Sequence, residues 1–343
     1  MMLGDLGANV LKVERPGRGD DTRGWGPPFD ERGESAYYLS VNRNKVSIAA
    51  DLRADRDLVV RLARAADVVV DNFLPGALAR LGLDIEALLR DNSRLVWCTI
   101  TGFGEESQRP GYDFVVQAES GWMAITGETD GSPMKTGVAL ADIVAGKDAT
   151  IAILAALTAR ERGAEFDRRI VISLADSARG ALVNVAQNAM VSGADARRWG
   201  NAHANLVPYQ LFRAKDRPLV IAVGSDEQWV ACARALGLDD LADDAELATN
   251  AGRLAQRDRV VAAFRERLSA RSAAEWIAAL DAVHVPCGIV KSVLEAIRDA
   301  AHASPVIGMP PTAGGTVRLA PPLLDEHGQE IRRVGWDVFR RYS

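Results

Sequence analysis

A chain of 343 residues, 48% hydrophobic and 25% charged, is long enough for two domains and too apolar to be disordered. Its net charge of −5 leaves no basic footprint for nucleic acid. Three scattered cysteines without a C-x-x-C pair and four histidines without ligand spacing exclude a disulfide framework and a zinc motif. They point instead to a reducing, cytoplasmic setting. The longest apolar stretches, such as residues 151–157, are too short to cross a bilayer, and MMLGDLGANV does not read as a signal peptide.

Residues 9–14, 46–50, 68–71 and 95–100 are rich in Val and Ile and bounded by Gly, Pro or Asn, which predicts strands. Residues 55–66 put Leu58, Leu62 and Ala65 on one helical face. Strands alternating with helices imply an α/β chain with a parallel, doubly wound sheet, which binds ligands at the carboxyl ends of its strands. The turns to inspect are therefore 15–21, 72–76 and 101–104. Arg15 opens a Gly-rich turn, PGRGDD, where it either meets a phosphate or is simply solvated. The turn is neither G-x-G-x-x-G nor a Walker loop. Asn72 and Phe73 lead into a helical stretch with Arg80. A flat ring near a guanidinium suits an adenine, but a phenylalanine such as Phe73 is more often core. Tyr112 follows the turn Arg109-Pro110-Gly111. A tyrosine is a poor base at neutral pH, so it suits positioning rather than proton abstraction.

Residues 143–160 form a long alanine-rich helix, with Asp142 at its start among small and apolar neighbours (GVALADIVAG). Two readings stand level there. One is a helix cap, worth about 1 kcal/mol. The other is a carboxylate in a confined site, able to attack a thioester carbonyl. A strand at 170–173 and a helix at 177–190 follow. Residues 1–190 then read as a large domain and the polar stretch 191–205 as a linker. A strand at 219–223 and helices at 227–236, 259–269 and 273–283 make 206–300 a smaller α+β domain. The Pro- and Gly-rich stretch 301–343 reads as a return segment. No G-x-S-x-G elbow or paired Cys and His supports a hydrolase.

Nine segments carry a resemblance when taken in order: LGDLGANVLKVERPGRGDDTRGWGPPF, SVNRNKVSIAADL, ADVVVDNFLPGALARLGL, TGFG, RPGYDFVVQAESG, GVALADIVAG, WGNAHANLVPYQLF, VPCGIV and PPLLDEH. Together they resemble the family III coenzyme A transferases, which include the α-methylacyl-CoA racemases. The resemblance implies a Rossmann-like large domain, a small α+β domain and an interlocked homodimer. It implies acyl-CoA and carboxylic acid substrates, with no metal and no permanently bound cofactor. Asp142 matches the family's nucleophile. Arg15, Asn72, Phe73 and Arg80 match positions lining the coenzyme A site, and Tyr112 matches a substrate-site tyrosine. A histidine stands in that place in the racemases, so Tyr112 favours transfer over epimerisation. His203 and Asn205 fall where other transferases have a glycine-rich loop over the substrate, which implies a stiffer loop here.

The implied reaction passes through mixed anhydrides and an aspartyl-CoA thioester, close in energy, so that no ATP or metal is needed, and water must be excluded or each intermediate would hydrolyse. VNRNKVSIA and RWGNAHANLVPYQLF look most like the branch that joins succinyl-CoA with glutarate or hydroxymethylglutarate. Family members carry a further strand and a short active-site turn ahead of the position of Met1. A sheet lacking a central strand is therefore expected, and with it a second possibility, a chain that binds CoA without turning it over.

Overall fold

The computed structural model describes residues 1–300 and 302–342. The chain divides into two compact units. The first comprises Met1–Trp122, Thr136–Ser192 and Ile297–Ser343, and the second Met123–Lys135 and Gly193–Ala296. Segment 123–135 groups with the second unit because Arg198 donates to the carbonyls of Ala124 (3.2 Å), Glu128 (3.1 Å) and Gly131 (2.7 Å).

In the first unit β1 (Val10–Glu14) pairs in parallel with β2 (Lys45–Ala49). A second parallel sheet has the order β3 (Val68–Asp71), β4 (Val96–Thr101), β5 (Arg169–Ser173). The α/β architecture expected from the alternation is present, as two sheets instead of one. The inner strand β4 is an almost unbroken buried run, as a strand covered on both faces should be.

The return segment belongs to this core. Ile331, Val338 and Phe339 pack with Val46, Ile48, Leu58 and Leu62 from β2 and the helix Arg56–Arg64. Asn44 stitches it further: its Nδ2 donates to Asp5 and to the carbonyl of Thr316, and its Oδ1 accepts from the amides of Arg318 and Leu319. Residues 177–190, predicted as one helix, form two, Leu174–Gly180 and Asn184–Ser192. Leu182 packs into the cluster around Trp122 and Leu174, and Val183 takes a φ of 43°. That conformation costs a β-branched residue energy and breaks the helix, and local packing outweighs periodicity.

The second unit holds an antiparallel sheet with β7 (Pro218–Ala222) between β6 (Tyr209–Arg213) and β8 (Cys287–Ile289). Only β7 is legible in sequence; β6 and β8 are edge strands, and β8 has three residues. Helices Asp226–Ala235, Arg257–Leu268 and Ala273–Asp281 share one core with the sheet. Trp229, Trp276, Phe212 and Phe264 fill its centre, with Trp229 stacked on Phe264 at 5.9 Å.

Candidate active site

The helix Leu140–Glu161 buries Ala141, Ala145 and Ala149, small residues that let it approach its neighbours closely, together with Ile153. Its N-cap residue is Ala139, which offers no side-chain cap. The cap comes from elsewhere in the chain. Asp113 Oδ1 accepts from the amides of Ala141 (2.8 Å) and Asp142 (3.4 Å), while its Oδ2 accepts from Gln117 Nε2 (2.6 Å). Gln117 is fixed in turn by the Thr136 amide, at 2.9 Å. Asp113 thus does the capping that local sequence offered to Asp142. Asp142 lies in the first turn of the helix, and its carboxylate accepts no hydrogen bond among the described residues.

Surrounding protein thins the water around the Asp142 carboxyl, although its surface stays accessible, and the Asp113 carboxylate adds like-charge repulsion. Together these raise it to about 6. Tyr37 faces the same field. Burial comes first and the charges of Asp142 and Asp113 second in raising its phenol. Trp25 packs edge-on against Tyr37, centroids 5.0 Å apart.

Sequence reading missed Asp113, Tyr37 and Trp25. Nothing local links them to a helix that starts at Leu140. Tyr112 immediately precedes Asp113 and is exposed. Its approach is set by two glycines. A Cβ on Gly102 would sit 2.4 Å from the Gly111 Cα, so the loop after β4 and the turn before Tyr112 press backbone to backbone.

The turn after β1 carries Arg15, which is exposed and paired with Asp21 at 2.6 Å. Beneath it lies a buried polar network. Glu14 accepts from Arg23 Nε (2.9 Å) and Nη2 (2.8 Å), Ser47 Oγ (2.7 Å) and the Asp20 amide (3.0 Å). Arg23 also donates to Glu34, Tyr38 Oη and the Pro322 carbonyl. Burial works to raise Glu14, but bonds from Arg23 and Ser47 outweigh it and lower its carboxyl. Burial likewise opposes Asp20, which Lys12 and Thr22 hold at about 2.

The turn after β3 is simpler. Asp71 Oδ2 accepts from Trp97 Nε1 and Thr99 Oγ1, both at 2.7 Å, and its Oδ1 accepts from the Phe73 amide at 3.0 Å. Asn72 and Phe73 are exposed, which sets aside the core reading of Phe73. Arg80 is exposed on the adjoining helix Ala77–Arg80. The structure brings Asn72, Phe73 and Arg80 together in one turn and helix. It leaves Arg15 on a separate turn, at the end of the other sheet.

His203 and Asn205 belong to the second unit. His203 Nδ1 accepts from the Asn205 amide (3.0 Å), and its ring packs against Tyr209 at 5.1 Å. Asn250 Nδ2 donates to the Asn205 carbonyl at 2.8 Å. Among the described residues no group of three or more His, Cys, Asp and Glu could hold a metal, and no helix is long and apolar enough to cross a membrane.

Residues 1–327 match CoA-transferase family III. The chain is 42% identical to a succinate–glutarate CoA-transferase of Agrobacterium fabrum, covering 87% of this chain and 77% of that one. It is 39% identical to a succinyl-CoA:glutarate CoA-transferase of Mus musculus, covering 96% and 81%. A crystal structure of a CAIB/BAIF family protein from Brucella suis superposes with a TM-score of 0.83 at 40% identity, covering 97% of this chain and 93% of that one. The chain belongs to CoA-transferase family III.

Proposed function

We propose that this CoA-transferase moves coenzyme A from succinyl-CoA to a dicarboxylic acid such as glutarate, with Asp142 as nucleophile. The observation that carries this reading is a carboxylate in the first turn of the long helix, released from capping by Asp113 and raised to about 6. Such a group is mostly ionised at pH 7 and more basic than an ordinary aspartate, which favours attack on a thioester. The relatives named for succinyl-CoA and glutarate support the choice of substrates.

Asp142 attacks the succinyl thioester carbonyl, forming a mixed anhydride and expelling CoA thiolate. The thiolate attacks the aspartyl carbonyl, forming an aspartyl-CoA thioester and releasing succinate. The acceptor carboxylate then attacks that thioester, giving a second anhydride and thiolate. The thiolate takes the acceptor acyl group and returns Asp142 as a carboxylate. In this reading Arg15 and Arg80 meet phosphates of CoA, and Asn72 and Phe73 border its nucleotide. Tyr112 and Tyr37 position the acyl group, while His203 and Asn205 serve the substrate from their loop. Incubating the protein with succinyl-CoA and glutarate tests the reading, with hydroxylamine trapping and mass spectrometry of the peptide holding Asp142. Transfer with a modified Asp142 is expected. Folded protein that transfers nothing and never carries the adduct overturns it.

The active form is a homodimer in the cytoplasm. Ile143, Ile151 and Leu154 on the long helix and Val183, Met190 and Val191 beyond it are exposed, an apolar surface that a second copy would cover. The free thiols Cys98, Cys232 and Cys287 suit a reducing compartment. Light scattering after gel filtration should give twice the chain mass; a monomer at micromolar concentration would refute the dimer.

A further inference from the structure

A cavity lies wholly within the second unit, lined by none of the residues assigned above to CoA. It measures about 510 Å³, within the roughly 300–1,000 Å³ of ordinary ligand sites. Arg197, Trp199, Arg257 and Arg259 line it, together with Asp258 and the N-terminal turn of the helix Arg257–Leu268. Three guanidiniums against one carboxylate make it locally positive in a chain of net charge −5.

The three arginines are not equivalent. Arg259 is neutralised by Asp244 at 2.8 Å. Arg197 makes no ion pair or hydrogen bond among the described residues, and its guanidinium lies 3.9 Å over the Trp199 ring. Arg257 approaches the same ring at 4.8 Å. Its Nη2 donates to the carbonyls of His203 (3.0 Å) and Ala204 (2.8 Å), while its Nη1 is buried with no partner. A buried charged donor without an acceptor is costly, and an anion would relieve it. The helix adds to the demand. It starts at Gln256 with no side-chain cap, because that side chain is engaged with Glu246 and Arg259. The positive end of a twelve-residue helix therefore opens on the same space.

We propose that this cavity binds a small, multiply charged oxyanion, a carboxylate or phosphate metabolite, held between Arg197 and Arg257. Because Arg257 also grips the carbonyls of His203 and Ala204, the bound anion stiffens the 203–205 loop. The site therefore serves as an effector site, and its existence does not depend on the role given to Asp142.

Titration calorimetry on the full chain without CoA tests this, using citrate and inorganic pyrophosphate as separate probes. Arg197→Gln and Arg257→Gln should each weaken binding about tenfold or more, while Arg80→Gln leaves it unchanged. Arg197→Gln is the decisive variant, because Arg197 makes no ion pair or hydrogen bond among the described residues and touches only the Trp199 ring, so its loss should not disturb folding. Trp199→Phe should remove the change in tryptophan fluorescence that accompanies binding. Preference between the probes identifies the anion as carboxylate or phosphate. No heat from either probe at millimolar concentration, binding untouched by Arg197→Gln, or loss of binding through Arg80→Gln each overturns the proposal.

Discussion

The two units are stabilised differently. The second has one continuous apolar core, in which Trp229, Trp276, Phe212 and Phe264 meet helices from three stretches of sequence. The first divides its apolar residues among several smaller clusters and joins them with buried polar groups. Arg23 bridges Glu14 and Glu34, Arg43 pairs with Asp5 at 2.7 Å, and Asn44 ties the start of the chain to the return segment. The turn carrying Arg15 is rooted in that polar framework, and the Asp142 helix is capped by Asp113. The difference teaches that one apolar core can carry most of a unit, with a single buried charge, Arg253, satisfied by the carbonyls of Val207 and Leu247 and by Asp226, whereas the turn that carries Arg15 rests on a network of paired charges.

The largest effect that bears on this contrast is kinetic. Asp142→Ala should lower transfer by about 10⁴-fold or more while leaving the melting temperature no lower, because the residue caps nothing. Calorimetry beside the assay checks both halves; a drop in stability would mean that Asp142 shares the structural work after all.

Next comes the polar network. Arg23→Met leaves Glu14 and Glu34 buried without their partner and should cost about 3–5 kcal/mol. Trp229→Ala should cost a similar amount, about 3–5 kcal/mol, by opening a cavity in the other unit. Salt and pH distinguish the two. Glu14 titrates below its ordinary range, so its contribution is present at neutral pH and is lost as pH falls through the folded value. The fall of stability with decreasing pH should therefore be shallower in Arg23→Met, and should keep the parent's slope in Trp229→Ala. Equal pH responses in denaturant titrations would erase the distinction drawn between the units.

Asp142 has the opposite sign. With a folded value near 6, above its unfolded one, it favours the folded state only at low pH, and that contribution is lost as pH rises toward 6. Transfer needs the ionised form, so kcat/KM should climb through a midpoint near 6. Asp113→Asn keeps an oxygen for the helix amides but removes the neighbouring charge, so the midpoint should move down. An unmoved pH–rate profile would assign the shift to burial alone. The smallest effect belongs to the second unit. Ser272 and Glu275 form a reciprocal cap on the helix Ala273–Asp281, and Ser272→Ala should cost about 1 kcal/mol in a urea titration.

Much of this was legible in the sequence because it rests on local pattern. Alternating Val- and Ile-rich runs with helical stretches announced the parallel architecture, and all five strands of the first unit fall where that pattern puts them. Ordered segments singled out Asp142, and the same resemblance, not residue type, proposed roles for Arg15, Asn72, Phe73, Arg80 and Tyr112. What stayed hidden depends on residues far apart in the chain. The break at Val183 follows from how Leu182 packs. The edge strands β6 and β8 carry too little pattern to be seen alone. Whether Asp142 is a cap or a free carboxylate could not be read from GVALADIVAG, because the deciding group, Asp113, arrives from a helix far earlier in the chain. Sequence determined which side chains are present and which local elements they form. Only the tertiary structure decided which carboxylate is spent on backbone amides and which is left ionisable, because that choice follows from distances between segments that no local period records.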